Sequence, residues 1–191
     1  MPSWSWNTVL GLVVLYTALH ILWRYIRRRI SQNRDPILVW QFLNSALDFL
    51  PIRLRAWLFS LAVGFANPYS RSIHYRITEV EKGKVCGVMK ETPEISNTLK
   101  CVHAAALITF GETVGTLTVL TWLGEKDRVI LTNINCEYIK VARGYLTATS
   151  LVPDFKETHA TDLTTEVIIK NQAFDTVSKL ILTWKVDLKD K

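Results

Sequence analysis

The sequence predicts an α+β domain in which one long antiparallel sheet wraps a single buried helix. Three observations lead there. Runs alternating between apolar and polar residues mark two strands before residue 90 and four more from Val129 onward. Between them lies Asn97 to Leu120, NTLKCVHAAALITFGETVGTLTVL, which reads as a helix from Ala104 and is apolar nearly all round. A helix without a polar face needs cover on most sides, and one antiparallel sheet bending around it supplies that cover.

The first element is an apolar run, Val9 to Trp23, with Trp4, Trp6, Trp23 and Tyr25 at its edges. From Trp4 to Ile26 it covers roughly 30 Å at ~1.5 Å per residue, about the thickness of a bilayer core. The arginines Arg24, Arg27, Arg28, Arg29 and Arg34 follow the run instead of preceding it. That order argues against a cleaved signal peptide and predicts an uncleaved anchor whose C-terminal side stays in the cytosol. The endoplasmic reticulum and the mitochondrial outer membrane both fit. An interfacial or buried helix is the alternative, because the core run is short and contains His20. Residues 36–67 carry two amphipathic helical patterns broken at Pro51, built on Ile37, Trp40, Leu43 and Leu47, then Leu54, Trp57, Leu58, Leu61 and Phe65. They pack on the following domain or, in a sharper reading, also lie on the bilayer.

Asn67-Pro68 marks a boundary, after which the pattern alternates. Ile73–Val80 and Val85–Met89 are expected strands joined at residues 81–84. In the helix that follows, Ala104, Gly111 and Gly115 share a face beside Ile108. Each internal glycine costs about 1 kcal/mol relative to alanine, so close approach to a sheet or a ligand is expected there. Val129–Val141, Tyr145–Val152, Leu163–Asn171 and Ser178–Leu188 complete the strands. The division is thus 1–34, an anchor with a basic flank; 35–67, an amphipathic helical segment; and 68–191, the sheet domain.

Charge narrows the function classes. The 191 residues carry 23 Lys and Arg against 17 acids, but five of the cations lie in residues 1–34 with no acid, leaving 18 against 17 in the rest. A nearly neutral domain has no broad basic face for nucleic acid. Cys86, Cys101 and Cys136 are odd in number, widely spaced and free of any CxxC, which argues against a disulfide framework or a zinc site. Glu112 stands out as a carboxylate among apolar residues: it faces solvent, has a partner, or is kept for chemistry. Cys101 has nothing in the sequence to activate it as a nucleophile.

The order strand, strand, helix, four strands resembles the hotdog fold. The local sequence is similar to the acyl-CoA thioesterases of the phenylacetate-pathway type, and more closely to their relatives grouped as a domain of unknown function. The resemblance rests on Asn97, His103, Ala104 and Glu112 at the motif's spacing, on Asn135 to Gly144 as the third long strand and its turn, and on Asn67-Pro68-Tyr69 at the entry to the domain. It implies an acyl-CoA thioester as substrate, no cofactor beyond the coenzyme A of that substrate, no metal, and a homodimer, possibly a tetramer. The N–H of Ala104 would bind the developing oxyanion, with Asn97 and His103 beside it. Glu112 would be general base or nucleophile, and Thr116, one turn on, would orient the water or the carboxylate. Ala104 and Glu112 lie about 12 Å apart along one helix, so they serve one carbonyl only across two chains. Lys100, where the family commonly has glycine, is placed to meet a phosphate of coenzyme A or simply to be exposed. Ala104 and Ala105 stand where the phenylacetate type has glycines, which keeps open a second reading: a protein that binds acyl-CoA or lipid without cleaving it.

Overall fold

The computed structural model describes residues 35–124, 126–153, 155 and 162–189, together with Trp6, Val9, Leu10, Gly11, Val13, Val14, Tyr16, Thr17, His20 and Arg24. Met1–Arg34 form one compact unit and Asp35–Lys191 another. In the first unit the described residues have helical backbone and exposed side chains. The expected span Trp4–Ile26 lies largely outside the described residues, and among those described no helix is long and apolar enough to cross a membrane.

The second unit begins with helix α1, Pro36–Ala46, capped by Asp35, whose carboxylate accepts from the Ile37 N–H. Pro51 starts α2, Ile52–Ala66. The break at Pro51 matches the sequence because proline removes a helix donor and restricts the residue before it. The corner between the helices is tied by Arg55, which donates to the Asn44 carbonyl at 2.9 Å. Asn67 caps a single turn, α3, Pro68–Arg71. The expected strand at Ile73 starts later than its alternation suggested. Ser72, Ile73 and His74 donate back to Tyr69, Ser70 and Arg71, and His74 adopts φ 53°, so the turn outlasts α3.

The sheet comprises β1 (Arg76–Glu81), β2 (Lys84–Lys90), β3 (Arg128–Tyr138), β4 (Tyr145–Leu151), β5 (Asp162–Lys170) and β6 (Thr176–Asp187), all pairs antiparallel, in the order β1-β2-β4-β5-β6-β3. Gly83 turns the β1–β2 hairpin at φ 75°, a conformation that suits glycine. The chain leaves β2, crosses the sheet through α4, Ala104–Leu120, and returns at the far edge as β3. This crossing buries α4. Phe110 and Val114 have no exposed surface and pack with Met89, Leu146, Val167, Leu180 and Leu182. Each such side chain contributes about 1.5–3 kcal/mol through burial.

The two helical glycines meet the sheet, as expected of a close approach: a Cβ on Gly111 would stand 2.6 Å from Leu180 Cδ2, and one on Gly115 would overlap Leu182 Cδ1. Two members of the expected small-residue face sit elsewhere. Ala104 is exposed at the helix start, and Ile108 falls on a half-buried line with Glu112, Thr116 and Leu120, spaced at four residues. The amphipathic helices cover the other end of the sheet. Ser60 on α2 accepts the Ile77 N–H at 2.8 Å, and Phe59 joins the core. A side chain from α2 thus satisfies a donor on edge strand β1.

Candidate active site

The loop before α4 is held by its own backbone and by a distant turn. Ser96 and Val102 form an antiparallel bridge, and the His103 N–H donates to Ile95 at 2.8 Å. From across the sheet, the Val102 N–H reaches Ala142 at 2.9 Å, and Glu91 accepts the Gly144 N–H at 2.7 Å. Gly144, at φ 70°, lets the turn after β3 close onto this loop. The motif stretch Asn135 to Gly144 is therefore joined to the motif stretch Asn97 to Ala104.

Asn97 organises the loop. Its Oδ1 accepts from the N–H groups of Leu99 at 2.9 Å and Cys101 at 3.3 Å, and from the Cys101 thiol at 3.3 Å. This is an Asx turn, and it leaves the Asn97 amide nitrogen as the group still able to donate outward. Lys100, at φ 54°, is exposed at the loop tip. His103 is the N-cap of α4: its Nδ1 accepts the Ala105 N–H at 3.0 Å. In the neutral ring the proton then sits on Nε2.

One amide of the first helical turn stays free. The His103 carbonyl takes the Ala106 and Leu107 N–H groups and its ring takes that of Ala105, while the Ala104 N–H meets no acceptor among the described residues. Such a donor at the positive end of a helix suits a developing negative charge.

Glu112 and Thr116 lie two and three turns further along α4. The Thr116 hydroxyl donates to Glu112 Oε1 at 2.9 Å. Burial pushes the Glu112 carboxyl above its ordinary range, and that hydroxyl partly offsets the effect. Among the described residues no cation forms an ion pair with Glu112. Within one chain, then, Asn97, Lys100, His103 and Ala104 come together, and Glu112 with Thr116 forms a second group about 12 Å along the helix. Tyr75 belongs near the second group and was not singled out from the sequence. It is buried, its hydroxyl lies 3.4 Å from Ser70 Oγ, and burial, together with the nearby Glu112 carboxylate, raises its pKa. No local signal marks a tyrosine that precedes a strand as a neighbour of a carboxylate 37 residues later. Among the described residues no three His, Cys, Asp or Glu side chains are grouped to hold a metal ion.

The sequence pattern of a family described as a domain of unknown function (DUF4442) matches residues 55–186. The chain belongs to this family. The match spans α2 through β6 and so includes both groups of side chains on α4. No curated protein matches the DUF4442 chain in sequence. Solved structures share its hotdog fold. A thioesterase from Staphylococcus aureus, solved as a mutant, aligns with a TM-score of 0.57 at 21% identity, covering 63% of this chain and 99% of that one. The Escherichia coli PaaI protein of the phenylacetic acid degradation operon aligns at 0.56 and 16% identity, covering 71% and 95%. A Streptococcus mutans protein bound to acetyl CoA aligns at 0.51 and 21%, covering 61% and 91%. The chain thus has the hotdog fold and belongs to a family whose function is not described.

Proposed function

We propose that this protein hydrolyses a fatty acyl-CoA thioester at a site shared between two chains, and that residues 1–34 anchor it in a membrane with the hotdog domain on the cytosolic side. The observation that carries the reading is α4, which presents an unsatisfied N–H at Ala104 and a half-buried carboxylate at Glu112, held by Thr116. The acetyl CoA bound to the fold-similar Streptococcus mutans protein supports the ligand class. Among the described residues strand β3 bonds only to β6, which leaves its outer edge for pairing with a second chain. The exposed apolar side chains of Trp6, Leu10, Val14 and Tyr16 on helical backbone support the anchor.

In the reaction, Glu112 takes a proton from water as the water oxygen attacks the thioester carbonyl carbon. The oxyanion accepts the N–H of Ala104 of the partner subunit, with the partner's His103 Nε2–H and the partner's Asn97 amide as further donors. As the carbonyl re-forms, the carbon–sulfur bond breaks and coenzyme A leaves as a thiolate that takes up the proton held by Glu112, which restores the carboxylate. Lys100, exposed at the loop tip, is available to a phosphate of coenzyme A.

A second reading has its own observation: Asn97 Oδ1 is already used by its loop, and Ala104-Ala105 narrow the approach to the N–H, as in a protein that binds acyl-CoA without turnover. Thiol release by the full chain, in vesicles or detergent, against acyl-CoAs of increasing length decides between them. We expect turnover that rises with chain length and drops by about 10²–10⁴ in Glu112→Gln. Binding without thiol release in both proteins at every length would establish the second reading.

A further inference from the structure

A cleft of about 590 Å³ opens between α2, α3 and the start of β1, and neither Glu112 nor the loop of residues 97–104 lines it. Its lining has two chemistries. Trp57 and Leu61 present one apolar face of α2, and Leu54, 39% exposed, continues that stripe a turn earlier. Arg71 from α3 and Arg76 at the start of β1 supply the charge, and His74, in the turn between them, adds ring nitrogens for hydrogen bonding. Among the described residues no carboxylate forms an ion pair with any of these three, and Glu94 lies within electrostatic reach of His74. The cationic side is built by the backbone. Arg71 has its aliphatic carbons 3.0 Å from where a Cβ on Gly64 would sit, and its guanidinium rests over the Phe65 ring at 5.2 Å. His74 holds φ 53°, which a residue with a Cβ adopts at a cost, and this conformation is part of the turn that brings Arg71 and Arg76 to one cleft.

We propose that this cleft holds the headgroup phosphate of an anionic membrane phospholipid. The phosphate sits among Arg71, His74 and Arg76, and the acyl chains run along Leu61, Trp57 and Leu54. A phosphate of free coenzyme A would satisfy the same cations. The surface around the cleft decides for lipid. Trp57 is 45% exposed and Leu54 39%, so the apolar face of α2 continues from the cleft outward into solvent. A soluble phosphate ester makes no contact there, whereas a bilayer covers it. The cations likewise match the negative charge of a cytosolic leaflet. This inference rests on the proposed function only in placing the domain beside a membrane.

The test uses the full chain with phosphatidylcholine vesicles carrying a minor fraction of brominated lipid, which quenches tryptophan on contact. The chain has seven tryptophans, so the Trp57 signal is taken as the difference between wild type and Trp57→Phe. We expect that signal to be quenched about twofold more by brominated phosphatidylserine than by brominated phosphatidylcholine. Arg71→Gln/Arg76→Gln should abolish the preference and Arg71→Lys/Arg76→Lys should keep most of it, which separates charge loss from misfolding. Equal quenching by the two lipids in wild type, or no quenching of the Trp57 signal, overturns the proposal. Loss of the preference on adding free coenzyme A assigns the cleft to a soluble phosphate and overturns it as well. Flotation with pure phosphatidylcholine vesicles reads the anchor separately, and thiol release reads hydrolysis, so each reading can fail alone.

Discussion

Glu112 couples stability and activity to pH in opposite directions. Burial raises its folded-state pKa, so the folded protein holds that proton more tightly than the unfolded chain does. The resulting stabilisation is complete below the ordinary glutamate pKa and is lost as pH rises through the raised folded value. Glu112→Gln removes the ionisation, so its melting temperature should match wild type near about pH 4 and exceed it near about pH 7, read by paired calorimetric scans. Hydrolysis needs the ionised form, so its acid limb should lie above the usual carboxylate range. Thr116→Val removes the hydroxyl that lowers the pKa and should move that limb further up, read from the pH dependence of kcat/KM.

At the scale of the element, α4 is defined by what it cannot carry. A methyl at Gly111 meets Leu180, and one at Gly115 meets Leu182 and Val167. Alanine would gain about 1 kcal/mol of helix propensity at each site but lose about 1–3 kcal/mol to overpacking against the sheet. The net expectation for Gly115→Ala, the tighter site, is destabilisation on the order of 1 kcal/mol by urea unfolding. The same helix offers a clean way to delete its free donor. His103 has φ −63° and ψ 139°, a conformation that a following proline accepts, and proline is tolerated at the first helical position. Ala104→Pro should therefore keep the fold, read by circular dichroism, and lower thiol release by about 10²–10³.

At the scale of the whole molecule, the separation along α4 makes the dimer testable. Glu112→Gln and Ala104→Pro each damage one half of a shared site. Mixed after unfolding and refolding together, half of the dimers are hybrid, and each hybrid carries one intact site, so about one quarter of wild-type activity should return. Recovery would place Glu112 and Ala104 of different chains at one thioester; two inactive proteins that stay inactive when mixed would place the whole site within one chain.

Much of the sheet was legible because alternation is a local property: the limits of β2, β4 and β5 depart from the expected ones by a residue or so. The starts and ends that moved did so through backbone bonds from outside the strand. The turn after α3 delayed β1, and the Ile139 and Lys140 N–H groups, both directed to the Val177 carbonyl, ended β3 before Val141.

The sequence by itself determined the element order, the buried helix and the spacing of Asn97, His103 and Glu112, since each follows from residues close together in the chain. Only the tertiary structure decided that Gly144 locks onto Glu91 across 53 residues, that Tyr75 lies near Glu112, and that Trp57 shares a cleft with Arg71, His74 and Arg76. Those contacts depend on how the helices and the turn after β3 dock on the sheet. That docking is set by the summed burial of the core, which no single stretch of sequence encodes.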